Sequence, residues 1–142
     1  LRDKLSEFKQ ANVFPGTANI PDIQKGFGRL DFDPYAKPLD SEYICEDGHQ
    51  LFAVCKKLGI NHLIYAGFAI DGCLLISPGG MVEMNQRGMM CSAIRQAVVA
   101  IESKESAENQ FAKDLALWRV ALLFGFVFDA DDLMEALKRY KA

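Results

Sequence analysis

The sequence lacks the features that would assign it to several common classes of protein. Its 142 residues include four cysteines and two histidines, with no C-x-x-C pair, so neither a zinc ribbon nor a thioredoxin-type site is indicated. No apolar run approaches the length of a membrane span, and no signal peptide is visible. The net charge of −3 argues against a dedicated nucleic-acid binder. We therefore expect a cytoplasmic protein with free thiols that binds neither membrane nor nucleic acid.

What is present is the composition of an ordinary globular domain. Half of the residues are hydrophobic and a quarter are charged, which is enough to build one core. Leu1, Leu5 and Phe8 fall on one face of a helix over residues 1–12, so the sequence starts inside an element. Residues 13–46 hold four of the five prolines. They predict an irregular Pro/Gly-rich arm or lid.

From residue 47 onward the pattern is regular. Short apolar runs predict three buried strands, at residues 62–67, 89–94 and 125–128. Amphipathic stretches predict four helices, at residues 47–59, 73–87, 106–124 and 129–140. The alternation predicts an α/β fold of three layers, with a doubly wound, mostly parallel sheet. Ligands bind at the carboxyl ends of strands in such sheets, which points to the residues after Gly67.

Two helices carry stripes of large apolar residues that predict their buried faces. In the helix at 106–124 the stripe consists of Phe111, Leu115, Trp118 and Leu122. In the last helix it consists of Leu133, Leu137 and Tyr140. The sequence therefore predicts that these side chains pack against the sheet.

Cys73 is the residue best placed for chemistry, because it opens the helix that follows the strand ending at Gly67. A thiol at a helix N-terminus is favoured as thiolate, and the N–H groups there can hold an oxyanion. Most cysteines, however, only fill space in a core. We interpret Cys45, Cys55 and Cys91 in that way, and position alone leaves both roles open for Cys73.

The segment Gly67–Cys73, with the sequence Gly-Phe-Ala-Ile-Asp-Gly-Cys, resembles the nucleophile turn of the isochorismatase-like cysteine hydrolases. The likeness extends over about residues 47–140 and includes Pro-Gly-Gly at 78–80. It implies a hydrolase that acts on a small amide, ester or vinyl-ether substrate through a covalent cysteine intermediate, without a cofactor. Some members of the family bind a metal, but His49 and His62 do not have the required spacing, and we expect no metal.

The resemblance also implies roles for individual residues. Cys73 would be the nucleophile, and the backbone N–H groups of Ala69 and Cys73 would form the oxyanion hole. The peptide bond between Phe68 and Ala69 would be cis. Lys37 is the nearest candidate for the lysine of the family. The residues expected to bind substrate are Phe68, Ile70 and Asp71.

The sequence departs from the family pattern at several places. The strand that carries the acid/base aspartate of the family would precede the helix at residues 1–12, so the single domain at 1–142 is expected to lack it. Ile70 stands where a threonine is usual and Gln96 where an aspartate is usual, so the pocket is expected to differ.

Two other functions therefore stay open: a non-catalytic relative that serves as a binding or structural module, and a thiol redox sensor. We also expect a homodimer or larger homo-oligomer that uses Phe126, Phe128 and the Pro-rich arm.

Overall fold

The computed structural model describes residues 2–13 and 19–140. The chain divides into two compact units, residues 1–42 and 43–142, and each unit is described by itself. Leu1, Pro15 and Gly16, which contributed to the sequence interpretation, lie outside the described residues.

The first unit contains two helices. Helix α1 spans Arg2–Asn12, as the apolar spacing predicts. Helix α2 spans Ile20–Phe27 and corrects the expectation that residues 13–46 are irregular throughout. Its Pro21 lies in the first turn, where a missing N–H costs no helical hydrogen bond, so this proline begins a helix instead of preventing one.

The second unit has mixed α/β structure with a small parallel sheet. Its helices are α3 (Gly48–Leu58), α4 (Cys73–Ile76), α5 (Met81–Gln86), α6 (Phe111–Leu123) and α7 (Ala130–Tyr140). Its strands are β1 (His62–Phe68), β2 (Met90–Val99) and β3 (Val127–Phe128). The strands lie in the order β1-β2-β3 and both pairings are parallel.

The ends of α3 are those that the sequence predicts. The Asp47 side chain accepts a hydrogen bond from the Gln50 N–H at 2.8 Å, so it caps the first turn. Gly59 ends the helix in the left-handed conformation, with φ of 68°.

The single helix predicted at 73–87 is instead two helices, α4 and α5. Pro78 lacks an N–H and forces Ser77 into an extended conformation, so the first helix ends at Ile76. The Gly80 N–H then donates to the Ser77 carbonyl oxygen at 2.7 Å and closes a turn. The Tyr65 hydroxyl donates to the Gly79 carbonyl oxygen at 2.8 Å and ties this turn to β1.

Strand β2 is longer than predicted. It pairs with β1 from His62↔Met90 to Phe68↔Val99, with one irregularity between Tyr65 and Gly67. The polar pair Arg95 and Gln96 lies inside the strand and is exposed, since β3 pairs with β2 only at Ala93 and Ile94. The carboxyl end of β2 therefore falls at Val99.

The core lies on one face of the sheet. Buried side chains from α3, α5, α6 and β2 pack there with Leu63 and Tyr65 of β1. The largest fully buried side chains are those of Ile70, Met81, Met84, Leu117, Val98 and Val120. The face is covered as expected for strands of a parallel α/β sheet.

The opposite face, here called the outer face, is open. It carries Ile64 and Phe68 of β1, Met90 and Val99 of β2, and Phe126, and all five are exposed. The prediction that the strands are buried on both faces is therefore wrong for this part of the sheet. Every second side chain of a strand points to the outer face. Because these strands are apolar at nearly every position, their sequences do not indicate that one face is exposed.

Helix α6 contacts the sheet with a different face from the one predicted. Ala116, Leu117 and Val120 are buried, whereas Phe111, Trp118 and Leu122 of the predicted stripe are exposed. These three side chains belong to the core, so the face of α6 that contains them is the one directed at the sheet. Among the described residues, no helix is long and apolar enough to cross a membrane.

Helix α7 likewise differs from the prediction. Leu137 and Tyr140 are exposed, and only Leu133 of the predicted stripe is half-buried. The helix contacts β2, and its first turn is held by Gln96, whose side-chain oxygen accepts the Ala130 N–H at 2.9 Å. Polar contacts at its start therefore attach α7, which explains why its apolar stripe is not covered.

Adjacent residues of α6 provide a test of its orientation. We predict that Leu117→Ala lowers the free energy of unfolding by ~2–5 kcal/mol, because it leaves a cavity in the core. Trp118→Ala should cost less than ~1 kcal/mol, because that side chain is 59% exposed. Urea denaturation followed by far-UV circular dichroism measures both. A larger loss of unfolding free energy for Trp118→Ala than for Leu117→Ala would show that the stripe predicted from the sequence is the buried face of α6.

Glu83 joins α5 to the turn between α4 and α5. Its Oε2 accepts the Gly79 N–H at 2.8 Å, and its Oε1 lies 2.7 Å from Nη2 of Arg87. The Gly79 N–H and then the Arg87 guanidinium lower the pKa of Glu83 below its ordinary value of 4.5. The Arg87 guanidinium also lies over the Phe52 ring, 5.4 Å from its centroid, which links α5 to α3.

The lowered pKa gives a pH dependence with a defined sign. The folded state binds the Glu83 proton less tightly than the unfolded chain, so the stabilisation is complete above about pH 4.5 and is lost as the pH falls through the folded-state pKa. We predict that Glu83→Gln lowers the free energy of unfolding at pH 7 and that this difference shrinks below pH 4.5. Urea titrations across pH 3–7 measure it, with Glu135→Gln, which removes an exposed ion pair on α7, as control.

Candidate active site

The candidate site is the turn that joins β1 to α4. Gly67, next to last in β1, has φ of 107°, a conformation that favours glycine. The Phe68–Ala69 peptide bond is cis, which is the conformation that the resemblance implies. The Ile70 N–H donates to the Val99 carbonyl oxygen at 2.8 Å and continues the pairing with β2. The turn is thus an extension of the sheet, held at its carboxyl end.

Hydrogen bonds fix the rest of the turn. The Ala69 carbonyl oxygen accepts the N–H groups of Gly72 and Leu74, at 3.1 and 3.0 Å. The Asp71 side chain accepts the Ile101 N–H at 2.9 Å, so it ties the turn to the segment after β2. Asp71, predicted to bind substrate, therefore has one carboxylate oxygen engaged in holding the turn.

The Ile70 side chain lies in the core, so any contact of this residue with a substrate would involve its backbone, and its role in substrate binding stays a prediction. It is 0% exposed and belongs to the core with Leu75 and Met81. The side chain anchors the turn in the apolar interior, a role that is expected of isoleucine. Phe68, in contrast, is 78% exposed on the outer face of the sheet, where a ligand can reach it.

Cys73 is exposed and is the first residue of α4. Within the described part of the chain, the N–H groups of Ala69 and Cys73 have no hydrogen-bond partner. The exposed thiol and two available donors therefore belong to one short, well-fixed turn. An arrangement of this kind can bring a nucleophile and the donors for an oxyanion to the same carbonyl group.

The other cysteines have surroundings unlike those of Cys73. Cys55 and Cys91 are buried in the core and Cys45 is half-buried, in line with the interpretation of these residues as filler. Burial raises the pKa of the Cys55 thiol and of the Cys91 thiol, since a thiolate is poorly solvated in the core. These two thiols are therefore protonated and inaccessible at neutral pH.

Lys37 belongs to the first unit, where it is exposed and follows the turn at Asp33–Ala36. It is not one of the residues that build the Cys73 turn. Its assignment as the lysine of the family stays a prediction.

The two histidines have structural contacts. His62 Nε2 lies 2.7 Å from Oγ of the buried Ser92, and its ring packs near Phe126 and Phe128. His49 is exposed, with Nδ1 3.4 Å from Nη2 of Arg87. In the described ranges, 2–13 and 19–140, no group of three or more His, Cys, Asp and Glu side chains is placed to hold a metal ion.

A second group of residues, at the carboxyl end of β2, was not predicted from the sequence. A cavity of about 290 Å³ opens there, and its lining includes Val98, Glu102, Gln110 and Lys113. The rule that ligands bind at the carboxyl ends of parallel strands could have found it. The second strand was predicted to end at Ile94, five residues before its end at Val99, and the rule was applied only to the residues after Gly67.

Comparisons with protein-family models, with curated proteins and with solved structures found no match to this chain. The resemblance to the isochorismatase-like hydrolases therefore rests on the residues of the Cys73 turn and its surroundings.

The environments of the four cysteines predict a selective alkylation. With limiting iodoacetamide at pH 7, Cys73 should be labelled at least about tenfold faster than Cys55 or Cys91, because it alone of the three is exposed. Half-buried Cys45 should react at an intermediate rate. Peptide mass mapping measures the order, and equal labelling of Cys73 and the core cysteines would show that the turn does not expose a thiol.

Proposed function

We propose that this protein is a cysteine hydrolase of the isochorismatase-like class, with Cys73 as the nucleophile. The observation that carries the proposal is the exposed Cys73 thiol in one turn with the free N–H groups of Ala69 and Cys73. The substrate class is a small amide, ester or vinyl ether. No cofactor is needed for this chemistry.

In the proposed reaction on an ester or amide, the Cys73 thiolate attacks the carbonyl carbon and a C–S bond forms. The carbonyl oxygen becomes an oxyanion that accepts hydrogen bonds from the N–H groups of Ala69 and Cys73. The bond to the leaving alcohol or amine then breaks, and the leaving group takes from water the proton that the thiol gave up to solvent. Water attacks the thioester, releases the acid and restores the thiol.

The rigidity of the turn supports this assignment. Ile70 anchors it in the core, and the Asp71 carboxylate holds it to Ile101. Donors that are fixed before the reaction stabilise a developing charge without reorganisation, so a turn tied at both ends suits an oxyanion hole. Exposed Phe68 is placed beside it to contact the body of the substrate.

The finer architecture is also part of the proposal. We infer a three-layer, doubly wound fold in which a further layer covers the outer face of the sheet. The exposed apolar side chains of Ile64, Met90 and Phe126 support it, since parallel sheets are covered on both faces. A homo-oligomer in which Phe126 is buried is compatible with the same observation.

Acyl transfer to Cys73 tests the proposal. With p-nitrophenyl acetate, the protein should release nitrophenolate and gain the mass of one acetyl group on Cys73. Cys73→Ala should lower the rate at least ~100-fold, because the nucleophile is lost. Cys45→Ala is the matched control and should retain the rate, since Cys45 lies outside the turn.

The outcomes separate the three candidate functions. Turnover that depends on Cys73 supports the hydrolase. Acylation of Cys73 without hydrolysis of the acyl-enzyme, across a panel of esters and primary amides, would favour a non-catalytic relative. Rapid, reversible oxidation of Cys73 by peroxide, with no acylation, would favour a redox sensor.

A further inference from the structure

A cavity at the carboxyl end of β2 has no role in the chemistry proposed for Cys73. It has a volume of about 290 Å³, near the lower end of the range for small-molecule sites. Val99 and Ala100 give it an apolar wall, and residues at the start of α6 line it as well. The cavity therefore has the position and the size of a site for a small metabolite.

Two polar side chains that line the cavity are available to a ligand. Within residues 2–13 and 19–140, neither the Lys113 ammonium nor the Gln110 side-chain amide makes a hydrogen bond or an ion pair. Lys113 is half-buried, so its charge is less screened than that of a fully exposed lysine. Both side chains can donate hydrogen bonds to an acceptor in the cavity.

The carboxylate of Glu102, which also lines the cavity, is already engaged. Its Oε1 accepts the Lys113 N–H at 2.9 Å, and its Oε2 accepts the Ala112 N–H at 3.1 Å and the Ser106 hydroxyl. These bonds satisfy the first turn of α6, and the helix dipole offsets the negative charge. These hydrogen bonds lower the pKa of Glu102 and keep it ionised, and the Lys113 ammonium is the cation of the lining that can pair with an anionic ligand.

The backbone at Gln110 supports the same arrangement. Gln110 is in the left-handed conformation, with φ of 52°, which is uncommon for a residue other than glycine. It precedes α6 directly and lines the cavity beside Lys113. Gln110 thus places a side-chain amide at the cavity from a backbone conformation that glycine adopts more easily.

We propose that this cavity binds a small carboxylic acid with a short apolar body. The carboxylate accepts hydrogen bonds from Lys113 and Gln110, and the hydrocarbon part packs against Val99 and Ala100. This site does not depend on the reactivity of Cys73, so its test is independent of the proposed hydrolase activity.

The probe for the test is isovalerate, compared with isovaleramide, which has the same shape and no charge. In ¹H–¹⁵N spectra of the full chain, isovalerate should shift the backbone amides of residues 98–102 and 110–113 in a saturable manner. Isovaleramide should bind at least about tenfold more weakly, because it loses the charge-assisted hydrogen bond to Lys113.

Two variants assign the binding to these side chains. Lys113→Gln should weaken isovalerate binding about tenfold or more, while Lys138→Gln, an exposed lysine on α7 outside the cavity, should leave it unchanged. Gln110→Gly removes the amide at a position whose backbone suits glycine, so it should fold normally and bind several-fold more weakly.

Several results would overturn the proposal. They are equal affinity for the amide, shifts that lie away from the cavity, no binding at tens of millimolar isovalerate, or unchanged affinity in both Lys113→Gln and Gln110→Gly. Loss of Cys73 acylation in the same protein would contradict the hydrolase proposal alone and leave this site in place.

Discussion

The parallel pairing of β1 with β2 is the interaction on which the rest of the second unit depends. It runs from His62↔Met90 to Phe68↔Val99, and the Ile70 N–H extends it past the end of β1. Because the two strands are parallel, their carboxyl ends meet at one edge of the sheet. The Cys73 turn and the cavity beside Lys113 both lie at that edge, so the same pairing places both candidate sites.

The sequence predicted the structure correctly where interactions between residues close together in the chain determine it. Asp47 caps α3 and Gly59 ends it as predicted, since a cap involves only residues a few positions apart. The Cys73 turn was found for the same reason: a strand, a glycine and a helix start are consecutive in the chain. The parallel α/β character follows from the order of these elements.

The errors arose where the surroundings of an element decide the structure. The stripe that contains Trp118 has helical spacing, but α6 packs through Ala116, Leu117 and Val120, and helical spacing alone does not decide between these two faces. Arg95 and Gln96 lie beyond the predicted end of the strand at Ile94, yet they belong to β2 because its pairing with β1 resumes at Gly67↔Val98. The cavity depends on where that strand ends, and so the sequence did not predict it. Ile70 likewise aligns with a substrate-binding position, although its burial is set by packing.

The bond between the Asp71 carboxylate and the Ile101 N–H has an energetic consequence. Val99 and Glu102 line the cavity, and Ile101 lies between them, so one backbone segment connects the cavity to the Cys73 turn. A hydrogen bond of this kind contributes about 1 kcal/mol, so the turn and this segment separate only at that cost. A single hydrogen bond thereby fixes the position of the Cys73 turn relative to one wall of the cavity.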